Sequence, residues 1–562
     1  MAASTPRLKV TVLSPLAPRK AHATTGAPPL RAFAPDGGID GLLGQIPVGV
    51  KIEVGDPFGG SASKLRVDLT FKGPKSFRPD GIVAQVPALR ALAEVPGRLR
   101  ELSARKASRS DIVRDLAQIL PSAAWAEVLA PTTGGGSSGG AAAPAPAPVA
   151  SSGSSSIDDI LSHTETSEAP RTSAFSSLIS QIAKGGSSVP RSSSLASTDL
   201  ATRAFGSILG EILDHPEIRR LERAWRGARY FLGEATSPID VEIVPIDDTN
   251  LPEALAYLVE RPADVIAPPD LLVLDLDIPL NAAGLGALEI PAIIAEQLRA
   301  PLVVGARFDD DFDNEETTKA LRDAGKSEWA PWVVLAANGG LVRGPLSLPA
   351  SGAPASEKLK VTWAQDTSAP GARVFASAPW LVATLCARAF KDGGWPAPIT
   401  GPEAGVLSGF DVHGVVAGGA TSMFATERLM TNDGAQRQAR RGILDLTSIP
   451  NRDNIACIAA PTLAAAGGDG APTLADQLFI ARVAGVVATI GAALPPGTDP
   501  ASAEQVVAAT LADLFPRHGN RVPFLETKVT GDRVSVVVTP RRFAGTTMGE
   551  FTLDVPSGDD EG

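Results

Sequence analysis

The sequence predicts a multidomain chain of mixed α/β and α+β structure: a small α+β N-terminal unit, a flexible linker, and a larger α/β region ending in an antiparallel strand set. Three observations predict it. At 562 residues the chain exceeds what one core organises, since single hydrophobic cores stop growing near roughly 250 to 300 residues. The stretch PTTGGGSSGGAAAPAPAPVASSGSSS (131–156) has almost no large apolar side chain to offset its ordering entropy, so it reads as a linker. The periodicity also changes across it, from half-buried strands and amphipathic helices before to apolar strands flanking a helix after. The expected organisation is therefore a small unit at 1–130, a linker at 131–156, an arm at 157–197 and a larger region at 198–562.

In the small unit, LKVTV (8–12), VGVKIEV (48–54) and LRVDLTF (65–71) alternate like strands. Residues 85–102 place Val86, Leu89 and Ala93 on one helical face. A second helix is expected to start at Ser110 as its N-cap, with Ile112, Val113, Leu116, Ile119 and Leu120 at helical spacing. In the arm, IDDIL and FSSLISQIAK each suit a short amphipathic helix. Beyond it, residues 198–213 align Phe205, Ile208, Leu209 and Ile212. Pro216 then starts a new helix with Ile218, Leu221, Trp225 and Leu232 on its inner side. LLVLDLD (271–277) and PLVVGARF (301–308) flank the helical IPAIIAEQLRA as in a βαβ unit. After a helix at 475–492, LETKVTG, RVSVVVTP and GEFTLDV read as three antiparallel strands.

Composition narrows the function classes. Lys and Arg number 51 against 62 Asp and Glu, a net charge of −11, and no basic stripe interleaves with aromatics, so nucleic acid is excluded as an expected partner. Arg219, Arg220, Arg223, Arg226 and Arg229 read as the solvated face of a helix. The two cysteines, Cys386 and Cys457, sit among apolar neighbours and read as buried thiols. The first residues lack the apolar core of a signal peptide, and no apolar run reaches the roughly 18 residues of a membrane helix. A cytoplasmic protein without membrane insertion is expected.

Several chemical motifs were weighed. LLVLDLDIPL resembles the Asp-x-Asp strand of haloacid-dehalogenase-like phosphatases, with Asp275 as nucleophile, Asp277 as general acid and magnesium between them. Ile278 and Pro279, however, replace the small turn residues that let amides approach a phosphate, so aspartates capping a turn are the preferred reading. The acidic run Asp309, Asp310, Asp311 and Asp313 lacks EF-hand spacing. NGGLVRG after PWVVLAA hints at a dinucleotide turn without the full glycine pattern. The five histidines, at 22, 163, 215, 413 and 518, have no cysteines at metal spacing. No catalytic, cofactor-binding or metal-binding residue is predicted, and the chain is expected not to be an enzyme.

Three stretches resemble the two contractile-sheath subunits of type VI secretion systems, TssB (VipA) and TssC (VipB). LTFKGPKSFRPDGIVAQVPALRAL (69–92) resembles the small subunit through Phe77, Pro79, Asp80, Val86, Pro87, Leu89 and Arg90. ILGEILDHPEIRRLERAWRGARYFL (208–232) resembles the large one through His215, Pro216, Glu217, Leu221, Glu222, Trp225, Arg226 and Gly227. FKDGGWPAPITGPEAGVL (390–407) adds Gly394, Trp395, Gly401, Glu403 and Gly405. Their order around the linker implies that both subunits are fused in one chain. Residues 329–348 lack the charged segment the family carries, and the large-subunit part is short, which implies a reduced peripheral region.

The resemblance implies a tail-sheath-like fold and a structural protomer that assembles helically with copies of itself around an Hcp-like inner tube, on a baseplate, and contracts to propel the tube. The sheath or scaffold of another contractile injection system is the alternative it leaves. It further implies that terminal strands link neighbouring subunits, here Val10 and Val12, with Val534, Val536, Val538, Phe551, Leu553 and Val555. It also implies that Ile157, Ile160 and Leu161 in the arm dock onto a Clp-type AAA+ ATPase that recycles the contracted sheath.

Overall fold

The computed structural model describes residues 7–24, 30–46, 48–59, 63–104, 107–131, 190–247, 249–260, 268–308, 314–349, 361–417, 420–495, 498–514, 524–530, 533–539 and 551–556. The expected linker beyond Pro131 and residues 157–189 of the expected arm lie outside them, while its last residues, 190–197, are helical and continuous with the helix expected from 198.

In the first part, β1 (Leu8–Ser14) and α1 (Gly38–Gln45) precede a hairpin of β2 (Val48–Gly55) and β3 (Lys64–Phe71). Alternation along the hairpin buries Val50, Ile52, Val54, Val67, Leu69 and Phe71. Then come α2 (Pro79–Gln85), α3 (Pro87–Ala104), α4 (Arg109–Ile119) and α5 (Ala123–Leu129). The helix expected over 85–102 begins at Pro87, because the proline ring drives the preceding Val86 into an extended conformation that closes α2. The N-cap of α4 is Ser108, not Ser110: the Ser108 hydroxyl accepts the Asp111 N–H while the Asp111 carboxylate accepts the Ser108 N–H. That reciprocal box satisfies two otherwise orphaned donors, which puts Ser110 inside the first turn.

The larger part opens on α6 (Pro190–Asp214) and α7 (Pro216–Glu234). It continues through β4 (Ile239–Pro245), α8 (Leu251–Val259), β5 (Leu271–Pro279), α9 (Ala282–Gly286), α10 (Glu289–Gln297), β6 (Leu302–Arg307), α11 (Glu315–Gly325), β7 (Val333–Ala337) and β8 (Gly340–Arg343). Next are α12 (Ala378–Gly393), a hairpin of β9 (His413–Ala417) and β10 (Ala420–Phe424), α13 (Asn432–Ala439) and β11 (Ile443–Asp445). The chain closes on α14 (Leu474–Ala493), α15 (Pro500–Leu514) and the strands β12 (Phe524–Thr530), β13 (Arg533–Thr539) and β14 (Phe551–Pro556). As the sequence predicts, β5 and β6 run parallel around α10, and β12, β13 and β14 form an antiparallel sheet.

Six strands make a parallel sheet in the order β11, β7, β6, β5, β1, β4. Its side chains alternate between two apolar layers. Leu8, Val10, Val12, Leu271, Val273, Val303 and Val334 face the layer that contains α7 and α12, while Leu13, Leu272, Leu274, Leu302 and Val304 face the layer of α8, α10 and α11. Parallel sheets covered on both faces are built from strands apolar on both sides. LKVTVLS has that character at Leu8, Val10, Val12 and Leu13, and the small hairpin could bury only one of its faces. This explains why β1 leaves the small unit and sits between β4 and β5. Val10 and Val12 are therefore not free to link subunits: both their ladders are filled within the chain, Val10 opposite Val241 and Leu271, Val12 opposite Ile243 and Val273.

The small unit packs on the same layer. Its α3 and β2 lie against α6, and the Gly55 N–H donates to the Glu211 carboxylate at 2.6 Å. One continuous apolar cluster runs from Leu42 and Leu89 through Phe205, Trp225 and Trp380. Among the described residues, no helix is long and apolar enough to cross a membrane.

Candidate functional site

The motif helix α7 is where the two parts of the chain meet. Pro216 occupies its first turn, where a missing N–H costs nothing, and the His215 ring accepts the Glu217 N–H at 3.2 Å. Ile218, Leu221, Trp225 and Leu232 are all buried, as their spacing predicts. The segment after β1, Ser14-Pro15-Leu16-Ala17-Pro18-Arg19, contains two prolines and cannot continue a ladder, so its carbonyls need other donors. They find them on α7. Arg220 donates to the Pro15 and Ala17 carbonyls at 2.8 and 2.7 Å, and the Trp225 indole N–H donates to the Leu16 carbonyl at 2.9 Å. Glu217 accepts the Arg19 N–H at 2.8 Å and holds Arg220 at 2.6 Å. Burial alone would raise the Glu217 pKa, but its bonds to Arg220, with the Arg19 N–H, hold it below the usual range.

One turn on, Glu222 is fully enclosed. Its carboxylate accepts Arg343 Nη2 at 2.7 Å and Arg343 Nε at 3.1 Å, and Arg226 Nε at 2.7 Å. Here too burial pushes the pKa up, and the two guanidiniums outweigh it and lower it. Arg343 also donates to the Gly371 and Ala372 carbonyls at 2.8 and 3.2 Å. A Cβ on Gly227 would stand 2.4 Å from Trp380 Cδ1, so only glycine allows α12 this close. The arginines of α7 are thus not a solvated face. Arg220, Arg223 and Arg226 are partly buried and paired, and only Arg219 and Arg229 are exposed. Their spacing matched a solvated stripe because the partners lie on remote segments.

The opposite end of β1 is held as tightly. Asp270 accepts the Lys9 N–H at 2.8 Å, and Arg482 on α14 donates to the Arg7 carbonyl at 2.7 Å. Burial pushes the Asp270 pKa up against the pull of Arg482.

At the carboxyl ends of β5, β6 and β7, a cavity of about 100 Å³ is lined by Arg223, Asp277, Phe308, Asn338, Glu427 and Arg428, among others. This is where open α/β sheets bind ligands, but Asp277 on its wall, and Asp275, which does not line it, are already committed. Asp275 accepts Ser14 Oγ at 2.7 Å, Trp380 Nε1 at 2.8 Å and the Ser377 hydroxyl, so neither oxygen faces a substrate. Its pKa is raised by burial despite those donors. Asp277 is bound by Arg223 through both oxygens. Such an Asp275 is a poor nucleophile. Asn338, in the left-handed region, exchanges bonds with the Arg428 backbone and donates to the Leu446 carbonyl at 2.6 Å. The NGGLVRG turn leads into β8 rather than a helix, so it forms no dinucleotide loop. The run at 309–313 lies outside the described residues. Among the described residues, no three His, Cys, Asp or Glu side chains are grouped to hold a metal. Cys386 and Cys457 are buried free thiols, and burial pushes Cys457 up to about 12.

Asp445, at the end of β11, is bound by Arg428 at 3.1 and 3.2 Å, and burial raises its pKa from 3.8 to about 6. A folded-state pKa above the unfolded one means the folded chain holds the proton more tightly. Its contribution is therefore fully present below about pH 4 and is lost as pH rises to about 6. Stability should fall there by up to about 1.4 kcal/mol per pH unit. Asp445→Asn should flatten that slope in chemical denaturation run from pH 4 to 7, and an unchanged slope would contradict the assignment.

The other predicted residues fall as follows. Phe77 stacks on Phe71 at 4.0 Å, Val86 and Leu89 are buried, Pro79 and Pro87 open α2 and α3, and Asp80 and Arg90 are exposed. Gly394 ends α12 in the left-handed region, and Trp395 stacks on Phe479 of α14 at 5.0 Å. Gly401 also has positive φ, Gly405 leaves no room for a Cβ beside the Cys457 carbonyl, and Glu403 is exposed. Val534, Val536 and Val538 pair with Val555, Leu553 and Phe551 across β13 and β14. Among the described residues, β13 is the middle strand of this sheet and β12 and β14 are its outer strands. Ile157, Ile160 and Leu161 lie outside the described residues. Sequence reasoning missed β4, Asp270, Arg343 and Arg482, each of which has a partner more than a hundred residues away: β1 for β4, Lys9 for Asp270, Glu222 for Arg343 and Arg7 for Arg482.

Comparison with known proteins adds one family. Two solved structures share 13% identity with the chain: one described as "Cryo-EM structure of the anti-feeding prophage (AFP) baseplate, 6-fold symmetrised" (TM-score 0.35, covering 59% of this chain and 81% of that one) and one as "Cryo-EM structure of the anti-feeding prophage (AFP) helical sheath in contracted state" (TM-score 0.31, covering 60% and 78%). Scores of that size carry no argument here. No curated protein matches the chain. Residues 8–134 match the family model "Type VI secretion system, VipA, VC_A0107 or Hcp2". The N-terminal part of the chain, including the stretch at 69–92, is thus similar to that type VI secretion family.

Proposed function

We propose that the chain is a structural protomer of a contractile sheath in type VI secretion, a fused small and large subunit that assembles helically around an inner tube and contracts to propel it. The observation that carries the reading is the union at β1. The segment similar to the VipA family supplies an interior strand to the sheet of the larger part, and the most specific large-subunit motif, on α7, binds the residues that follow that strand. A fused pair sharing one sheet has a fixed one-to-one ratio. Contraction then changes contacts between whole chains, with energy stored at assembly rather than taken from hydrolysis. The role is structural, not enzymatic. An Hcp-like tube protein, a baseplate and a Clp-type ATPase acting on Ile157, Ile160 and Leu161 are the partners that belong to this reading. For linking neighbours it favours the outer edges of β12 and β14, since exposed edges template strand addition.

Electron microscopy of the full chain, expressed alone and with its tube protein, tests the proposal. Tubular or helical assemblies are the expected result. A monomer under all conditions, with the tube protein present, would overturn it.

A further inference from the structure

The outward surface of α8 and α10 is apolar where the fold does not need it to be. The buried sides of these neighbouring helices carry Ala254, Leu255, Leu258, Ala292, Ile294 and Ala295, yet Val259, Ile290 and Ile293 point outward at 47, 66 and 38% exposure. Scattered exposed apolar residues are ordinary, but Ile290 and Ile293, three apart, lie on one face of α10, and Val259 is the last residue of the neighbouring α8. The exposed glutamates Glu253, Glu289 and Glu296 lie on the same two helices and Glu260 caps α8, and none has an ion pair among the described residues. An apolar centre with charges of one sign around it has the anatomy of a contact surface that selects an oppositely charged partner.

The chain itself carries such a partner. On the small unit, Lys72, Lys75, Arg78 and Arg90 are exposed around the exposed Ala84 and Pro87, likewise without ion pairs among the described residues, with Asp80 as an acidic neighbour. This surface lies on the other side of the central sheet, because the turn at Pro74–Phe77 abuts α7 while α8 and α10 cover the opposite face. We propose that the acidic, apolar face of α8 and α10 docks onto the Lys72, Lys75, Arg78 and Arg90 face of a second copy of this chain. The aliphatic stems of the lysines and arginines cover Ile290 and Ile293 while their charged ends reach the glutamates. Two different patches on opposite sides make a heterologous contact, which repeats as an open row rather than closing as a dimer. The inference rests on the self-assembly reading above and names one of its contacts.

Charge reversal tests it in the full chain. Glu289→Lys with Glu296→Lys, and separately Lys75→Glu with Arg78→Glu, should each lower the fraction pelleted as assemblies by about tenfold, with circular dichroism unchanged. Mixing the two variants in equal amounts should restore pelleting, because each reversed face then meets a complementary one. Wild-type pelleting by either variant, or no recovery in the mixture, overturns the contact while leaving the sheath reading intact. If the wild type forms no tubes, that reading fails by itself. Sedimentation velocity then decides the contact: salt-sensitive association lost in both variants supports it, and a monomer at every concentration overturns it.

Discussion

Glu222→Ala is expected to destabilise the folded chain by about 3 to 5 kcal/mol, the range for breaking one side of a buried ion pair. The cost comes less from the lost attraction than from what is left behind. Arg343 is 5% exposed, and without Glu222 its guanidinium is left facing neutral acceptors, the Gly344, Gly371 and Ala372 carbonyls and the Gln365 amide oxygen. Arg226, 18% exposed, can turn toward solvent. Glu222→Gln should cost less, since the amide oxygen still accepts one guanidinium bond. Replacing Glu222 and Arg343 together by methionine should recover much of the loss, because no buried charge is then stranded. Because the folded pKa of Glu222 lies below the unfolded one, its contribution is present at neutral pH and is lost as pH falls through the acidic range. The wild-type and Glu222→Ala denaturation midpoints should therefore converge on acidification. A Glu222→Ala midpoint within about 1 kcal/mol of wild type at pH 7 would show that the triad holds nothing together.

What the sequence revealed and what it hid divide along the range of the interactions. Helical spacing exposed the buried stripe of α7, and alternation exposed β2, β3, β5 and β6, because burial of one face is written in periods of 3.6 and 2. The α7 arginines match the spacing of a solvated stripe yet are bound, because Arg220 and Arg223 answer to Pro15, Ala17 and Asp277, and no local pattern encodes partners 54 to 205 residues away. Val10 and Val12 were correctly read as strand residues and wrongly placed. Strand character is local, whereas a strand's neighbours are set by topology. The clue was Leu13, an apolar residue on the face opposite Leu8, Val10 and Val12, as expected where a sheet is covered on two sides. Asp275 shows the converse case. An Asp-x-Asp strand suggested catalysis, and its burial against Ser14, Ser377 and Trp380 gives the aspartate a structural role.

Val12→Asp should have the largest effect of any single change, removing the cooperative unfolding transition of the larger part as well as the assemblies. Val12 is fully buried on an interior strand of the sheet, flanked by Ile243 on the outer strand β4 and by Val273 on β5, and its layer is packed with apolar side chains. An ionised carboxylate among these apolar side chains costs well over 5 kcal/mol, comparable with the whole stability of a typical domain at about 5 to 15 kcal/mol. Val12→Ala, which only removes methyl groups, should cost about 2 kcal/mol and leave the transition cooperative. Lys51→Asp on the exposed side of β2 should cost little, which separates a charge in the sheet from a charge in the small unit. The outcomes distinguish two roles for the N-terminal strand. If β1 were an appendage laid on a sheet that is complete without it, Val12→Asp would release β1 and leave the transition of the larger part in place. If β1 is interior, β4 and β5 lose their common neighbour, and since Arg482 and α7 grip its two ends, the disruption reaches α14 on one side and α7 on the other. A retained wild-type transition in Val12→Asp, read by tryptophan fluorescence, would therefore remove the argument that the two fused parts fold as one unit.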